Sequence, residues 1–179
     1  MDVRLILEIG FLIAFVGALL FAAVSDALTF AIPNLLVLGM ALAFPVAALV
    51  AFKNVAWISH FAAAGIVLVP GAALFRIGAF GGGDVKLWAA VALWTGLDPL
   101  FYQAMCITVL GGAMGLFVVL VRGILARWGA SLSVAPESLP RALRPKGAIP
   151  YGIAIAGGAI LSIPRIAEFD AARAALQWT

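Results

Sequence analysis

The chain is expected to fold as an all-α, polytopic integral membrane protein with about six transmembrane helices. Three observations lead there. Hydrophobic residues make up 65% of the sequence and charged residues only 11%, against roughly 45–50% and about 25% in soluble domains. The mean hydropathy is +1.19. Apolar runs recur along all 179 residues, and because one bilayer crossing takes about 20 apolar residues, that length holds roughly six crossings and little else. A water-soluble fold is excluded. A single membrane-embedded domain over 1–179 is expected, with no room for a separate soluble one.

The spans are placed at 5–25, 33–52, 56–77, 85–97, 99–121 and 148–164. The first follows Arg4 and ends near the small residues Ala22 and Ala23, like a secretory signal. It runs about 20 residues, however, where a signal core has roughly 7–15. The third carries His60 near its outer end, an interfacial position. The fourth, at 13 residues, would rise only about 20 Å against a hydrocarbon core of about 30 Å. It follows Gly81, Gly82 and Gly83, and a short Gly-interrupted span points to a cavity, because irregular backbone at membrane depth must be satisfied by protein or trapped water. The fifth contains Gly111, Gly112 and Gly115, and the sixth Gly152, Gly157 and Gly158, small residues that let helices approach closely. Trp57, Trp88 and Trp94 fall near span ends, as aromatic belts do. Cys106 lies in an apolar run and is alone, so the chain can build neither a disulfide nor a Cys-based zinc site.

Lys and Arg set the orientation, since short loops rich in them stay cytoplasmic. Seven lie after spans one, three and five (Arg76, Lys86, Arg122, Arg127, Arg141, Arg144, Lys146) and four on the other side (Arg4, Lys53, Arg165, Arg173). Both termini are therefore expected outside. The one long connection, 122–147, has prolines at 136, 140 and 145. Its Ile124, Leu125, Trp128 and Leu132 suggest an amphipathic piece on the cytoplasmic lipid surface, with a solvated loop as the plain alternative. The net charge of +3 is scattered among apolar blocks, which argues against nucleic acid.

The membrane frame sorts the eight acids. Asp2, Glu137, Glu168 and Asp170 fall in termini or the long loop, where water solvates them. Glu8 is expected to snorkel to the outer interface, and Asp98 precedes Pro99 in a turn. Asp26 and Asp84 remain. Asp26 ends the first span and Asp84 opens the fourth, so both lie at the cytoplasmic boundary. Alone, Asp84 could simply cap a helix after a Gly-rich turn, and Asp26 could be a solvated residue after a helix. Together they form a pair of acids flanked by apolar runs, and such acids are functional candidates. Two carboxyl groups sharing a site do not both ionise cheaply, the condition under which aspartic proteases activate a water.

The string Phe80-Gly81-Gly82-Gly83-Asp84-Val85-Lys86-Leu87 resembles the GxGD motif of membrane aspartyl proteases in its type IV prepilin peptidase form. Asp26 followed by Ile32-Pro33-Asn34 is similar to that family's other catalytic segment, and Ala148-Ile149-Pro150-Tyr151-Gly152-Ile153-Ala154 resembles its final span. The resemblance implies that Asp26 and Asp84 are the catalytic pair. It implies cleavage of a leader peptide from prepilin or pilin-like precursors at the cytoplasmic face of a bacterial inner membrane. Gly81 and Gly83 would let substrate backbone come close, Pro33 suits the first turn of span two, and Asn34 offers a polar contact. Lys86 offsets charge near the pair or snorkels; Pro150, Tyr151 and Gly152 support the site. The larger members carry paired cysteines and an N-methylating activity. This chain lacks those cysteines and resembles the compact subgroup linked to Flp-type pili, so proteolysis without methylation is expected. Its first loop, Ala27-Leu28-Thr29-Phe30-Ala31, lacks the basic residues common in the family. No phosphate loop, Ser elbow or metal cluster is seen, and no cofactor is expected. Two other classes compete: a small proton-coupled transporter, and a non-catalytic membrane scaffold of a pilus or secretion assembly.

Overall fold

Each apolar run becomes a helix. The computed structural model describes residues 2–128, 139–144 and 147–176, and among them holds helices and no strand. In chain order the helices are α1 (Val3–Thr29), α2 (Asn34–Val50), α3 (Trp57–Arg76), α4 (Gly82–Thr95), α5 (Leu97–Trp128), α6 (Gly152–Ser162) and α7 (Asp170–Ala175). α1, α3 and Leu97–Arg127 of α5 are long and apolar enough to cross a membrane, and Gly152–Arg165 with Ala167–Ala175, bent by 69°, forms a fourth such unit. The all-α, polytopic membrane fold is what the composition demanded.

α4 is the central helix. From Leu87 to Thr95 every residue is buried except the half-buried Trp88, and a helix apolar on all sides belongs inside other helices. It can be short because its neighbours meet the lipid in its place. Those neighbours expose Leu20, Phe21, Val24, Phe101, Val109, Leu116 and Phe117, side chains that suit hydrocarbon. α5 and α6 lie close together through their glycines. A Cβ on Gly157 would stand 2.9 Å from Leu110 Cδ1, and one on Gly158 would stand 2.8 Å from the Ile107 backbone nitrogen. Gly112 faces open space, so only part of the glycine set serves packing.

Several expectations need correction. The long connection does not begin at 122, because α5 continues through Trp128; Gly123 to Arg127 contain no helix breaker stronger than one glycine. Ile124 and Leu125 thus belong to α5, while Leu132, Pro136, Glu137, Pro145 and Lys146 lie outside the described residues, as does the Trp128 side chain. Glu8 does not snorkel. It is buried, and its carboxylate accepts the Ala172 N–H at 2.7 Å, capping α7 against α1. His60 is not interfacial: it is 2% exposed, with Nδ1 donating to the Leu93 carbonyl at 2.8 Å and Nε2 lying 2.8 Å from Glu168 Oε1. Glu168 is accordingly held by protein rather than solvated. Trp94 lies in the core, its indole N–H donating to the Met40 carbonyl at 2.9 Å and its ring stacked on Phe15 and Phe169. These misplacements share one cause. The segment from Ile163 folds back through two 3₁₀ turns into α7, which covers that end of the bundle and buries groups that a simple hairpin topology would leave wet.

Candidate active site

Three helix ends converge at the other end of the bundle: the last turn of α1 and the first turns of α4 and α6. α1 stops because Phe30 takes a left-handed conformation (φ 56°, ψ 33°), its N–H donating to the Asp26 carbonyl at 2.9 Å. That conformation costs roughly 1–2 kcal/mol for a residue with a Cβ. Side-chain bonds secure the turn: the Ser25 hydroxyl donates to the Ala31 carbonyl at 2.8 Å and the Thr29 hydroxyl to the Ser25 carbonyl at 2.7 Å. The chain then enters α2 through Pro33, which stands just before the helix as its N-cap and not within its first turn; its fixed φ suits either place.

Asp26 is 6% exposed. Its Oδ2 accepts the Gly152 N–H at 2.7 Å, and Gly152 is the first residue of α6, where helix N–H groups lack intrahelical partners and carry partial positive charge. A side chain at 152 would not fit, since its Cβ would lie 2.9 Å from both Cβ and Oδ2 of Asp26. Asp84 stands in the first turn of α4. Its carboxylate folds back over Gly81, where any Cβ would strike it, and Gly83 lies against Ile32. No hydrogen bond to the Asp84 side chain occurs among the described residues. The two acids, 58 positions apart in sequence, line one cleft of about 280 Å³ together with Gly81, Gly82, Gly83, Asn34 and the Phe30–Ile32 turn. A single water needs roughly 10–15 Å³ of such space. The cleft therefore has room for water.

The remaining expected site residues sort by distance from it. Lys86 donates to Asn34 Oδ1 at 3.2 Å, joining α4 to α2 at an exposed rim, and forms no ion pair with either acid. Tyr151 precedes α6, with its ring 5.6 Å from that of Phe80 and close against Gly111 of α5. Pro150 accepts the Ile153 N–H. Both set the start of α6 and neither lines the cleft. Among the described residues no group of three or more His, Cys, Asp or Glu gathers to hold a metal ion.

A family model described as the type IV leader peptidase family matches residues 13–125. The chain belongs to the type IV leader peptidase family. It is thus a leader-peptidase-type membrane protease. The matched stretch runs from α1 into α5 and contains both acids, while α6, which supplies the Gly152 N–H, lies beyond it. No curated protein and no solved structure matches. Sequence reasoning missed the turn that ends α1 on this leader peptidase. Ser25 and Thr29 could have signalled it, because short hydroxyl side chains commonly bond nearby backbone. Phe30 offered no signal, since left-handed positions favour Gly or Asn.

Proposed function

We propose that this leader peptidase is a single-domain aspartic endopeptidase that removes the leader from prepilin or pilin-like precursors, with Asp26 and Asp84 as its catalytic pair. The observation that carries this reading is that two acids distant in sequence, from opposite ends of different helices, line one cleft with room for water. The chemistry needs both. One carboxylate takes a proton from a water held between them while the water oxygen bonds to the peptide carbonyl carbon, and the other carboxyl donates its proton to the carbonyl oxygen. Collapse of the tetrahedral intermediate breaks the C–N bond, with a proton passing to the leaving amine. Products are the leader with a free carboxyl group and the mature protein with a free amine.

The cleft's place at helix ends supports a boundary reaction. A precursor's apolar helix can lie in lipid beside the enzyme while its polar leader remains in water, so the scissile bond sits at the boundary. The excess of basic residues around the α3–α4 and α5–α6 connections supports a cytoplasmic boundary at the bacterial inner membrane with both termini periplasmic. The lack of paired cysteines favours the compact Flp-type branch, without N-methylation. Co-expression with candidate pilin precursors tests this. Wild type should shorten the precursor and leave an unmethylated N-terminus, and neither Asp26→Ala nor Asp84→Ala should do so; normal processing by either variant overturns the assignment.

A further inference from the structure

Arg122 is one of the basic residues that orient the chain, and that task needs only a charge. Its guanidinium does something more specific. Half-buried on α5, its Nε donates to the Ala142 carbonyl at 2.9 Å, and its Nη2 donates to the Ala142 and Gly147 carbonyls at 2.5 and 2.6 Å. The segment it grips is folded on itself: Leu143 N–H donates to the Pro140 carbonyl at 2.8 Å and Gly147 N–H to the Arg144 carbonyl at 2.9 Å. Gly147 fits only without a side chain, because a Cβ would strike the Arg141 carbonyl and stand 3.2 Å from Arg122 Nη2.

Five residues after Gly147 comes Gly152, whose N–H holds Asp26. Between them, Tyr151 rests against Gly111, again on α5. The start of α6 is therefore fixed to α5 at two points, one by the guanidinium and one by the tyrosine ring. We propose that Arg122 is a positioning residue for the candidate active site: by clamping the Ala142 and Gly147 carbonyls it sets where α6 begins, and so where the Gly152 N–H meets Asp26. This rests on the peptidase reading above. A planar fork of donors reaches two carbonyls at once, and a lysine ammonium does not reproduce that grip although it keeps the charge.

Arg122→Lys separates the two tasks. The variant should insert and melt like wild type, yet cleave a pilin precursor with kcat lowered roughly 10- to 100-fold, the scale of a small misplacement at a reacting centre, and with KM nearly unchanged. Amide exchange across 147–152 should quicken in the variant. Arg122→Ala should show the same split, and low concentrations of guanidinium chloride should restore its kcat while leaving Asp26→Ala inactive. Wild-type kcat and wild-type exchange in Arg122→Lys would overturn the proposal, as would a loss confined to KM. The exchange readout needs no activity. If wild type cleaves no precursor, the peptidase reading fails while exchange across 147–152 still judges the clamp.

Discussion

Both ends of this bundle bury acids, and they treat them oppositely. At the α7 end, Glu8 accepts a backbone N–H and Glu168 meets His60, while Gln103 links Thr95 and Ser162 across three helices at 2.5 and 3.3 Å. Glu8, Glu168, His60 and Gln103 each have at least one protein partner, although Gln103 Oε1 is left without one among the described residues. At the α6-start end, Asp26 has one backbone donor on one oxygen, Asp84 has no hydrogen-bond partner among the described residues, and both face open space large enough for water. Burial alone does not distinguish structure from chemistry. What differs between the two ends is whether the protein supplies the carboxylates' partners or leaves them facing open space, as the proposed chemistry requires.

The sharpest way to break that contrast is at the cleft. Asp26→Asn and Asp84→Asn should each lower kcat by roughly 100- to 10,000-fold. In the proposed mechanism the two act as one unit, so the double variant should be little worse than either single one in a single-turnover assay. Gly152→Ala comes next. Its Cβ, 2.9 Å from Asp26 Oδ2, must push the carboxylate aside, so kcat should drop roughly 10- to 100-fold with KM little altered.

The other end should respond in stability and not in chemistry. Gly158→Ala places a methyl 2.8 Å from the Ile107 nitrogen and 3.0 Å from its Cα, backbone atoms that cannot swing away. Overpacking of this kind costs about 1–3 kcal/mol, visible as a lower melting temperature in detergent. Glu8→Ala strips the Ala172 N–H of its partner, which costs about 1–2 kcal/mol and should leave kcat within twofold of wild type, roughly the scatter expected of an uncoupled site. Gln103→Leu should be smallest, because Thr95 and Ser162 keep their own bonds to the Val91 and Ala159 carbonyls. A shift under about 1 kcal/mol is expected there.

Composition and apolar run length made the fold class legible, since nothing but a helical membrane protein accommodates so few charges. The short fourth span and its glycines pointed correctly to a cleft, and the parity of crossings placed Asp26 and Asp84 on one face without any tertiary information. What stayed hidden depended on chain reversals that carry no periodic signal. The return of the C-terminal segment into α7 internalised Glu8, His60 and Trp94. The left-handed Phe30 is a residue type that seldom marks such a turn. Arg122 read as topological charge because a guanidinium's grip on carbonyls 20 and 25 positions away, at Ala142 and Gly147, is invisible in a linear pattern.

The contrast between the two ends reduces to one side-by-side measurement: cleavage of a pilin-like precursor in bilayers by Asp26→Asn, Asp84→Asn, Glu8→Ala and Glu168→Gln, each checked for folding by its melting curve. Both aspartate variants should fold and cleave at least roughly 100-fold more slowly than wild type, while both glutamate variants cleave at near wild-type rates. Near wild-type cleavage by a folded aspartate variant, or loss of cleavage in a glutamate variant with an unchanged melting curve, would contradict it.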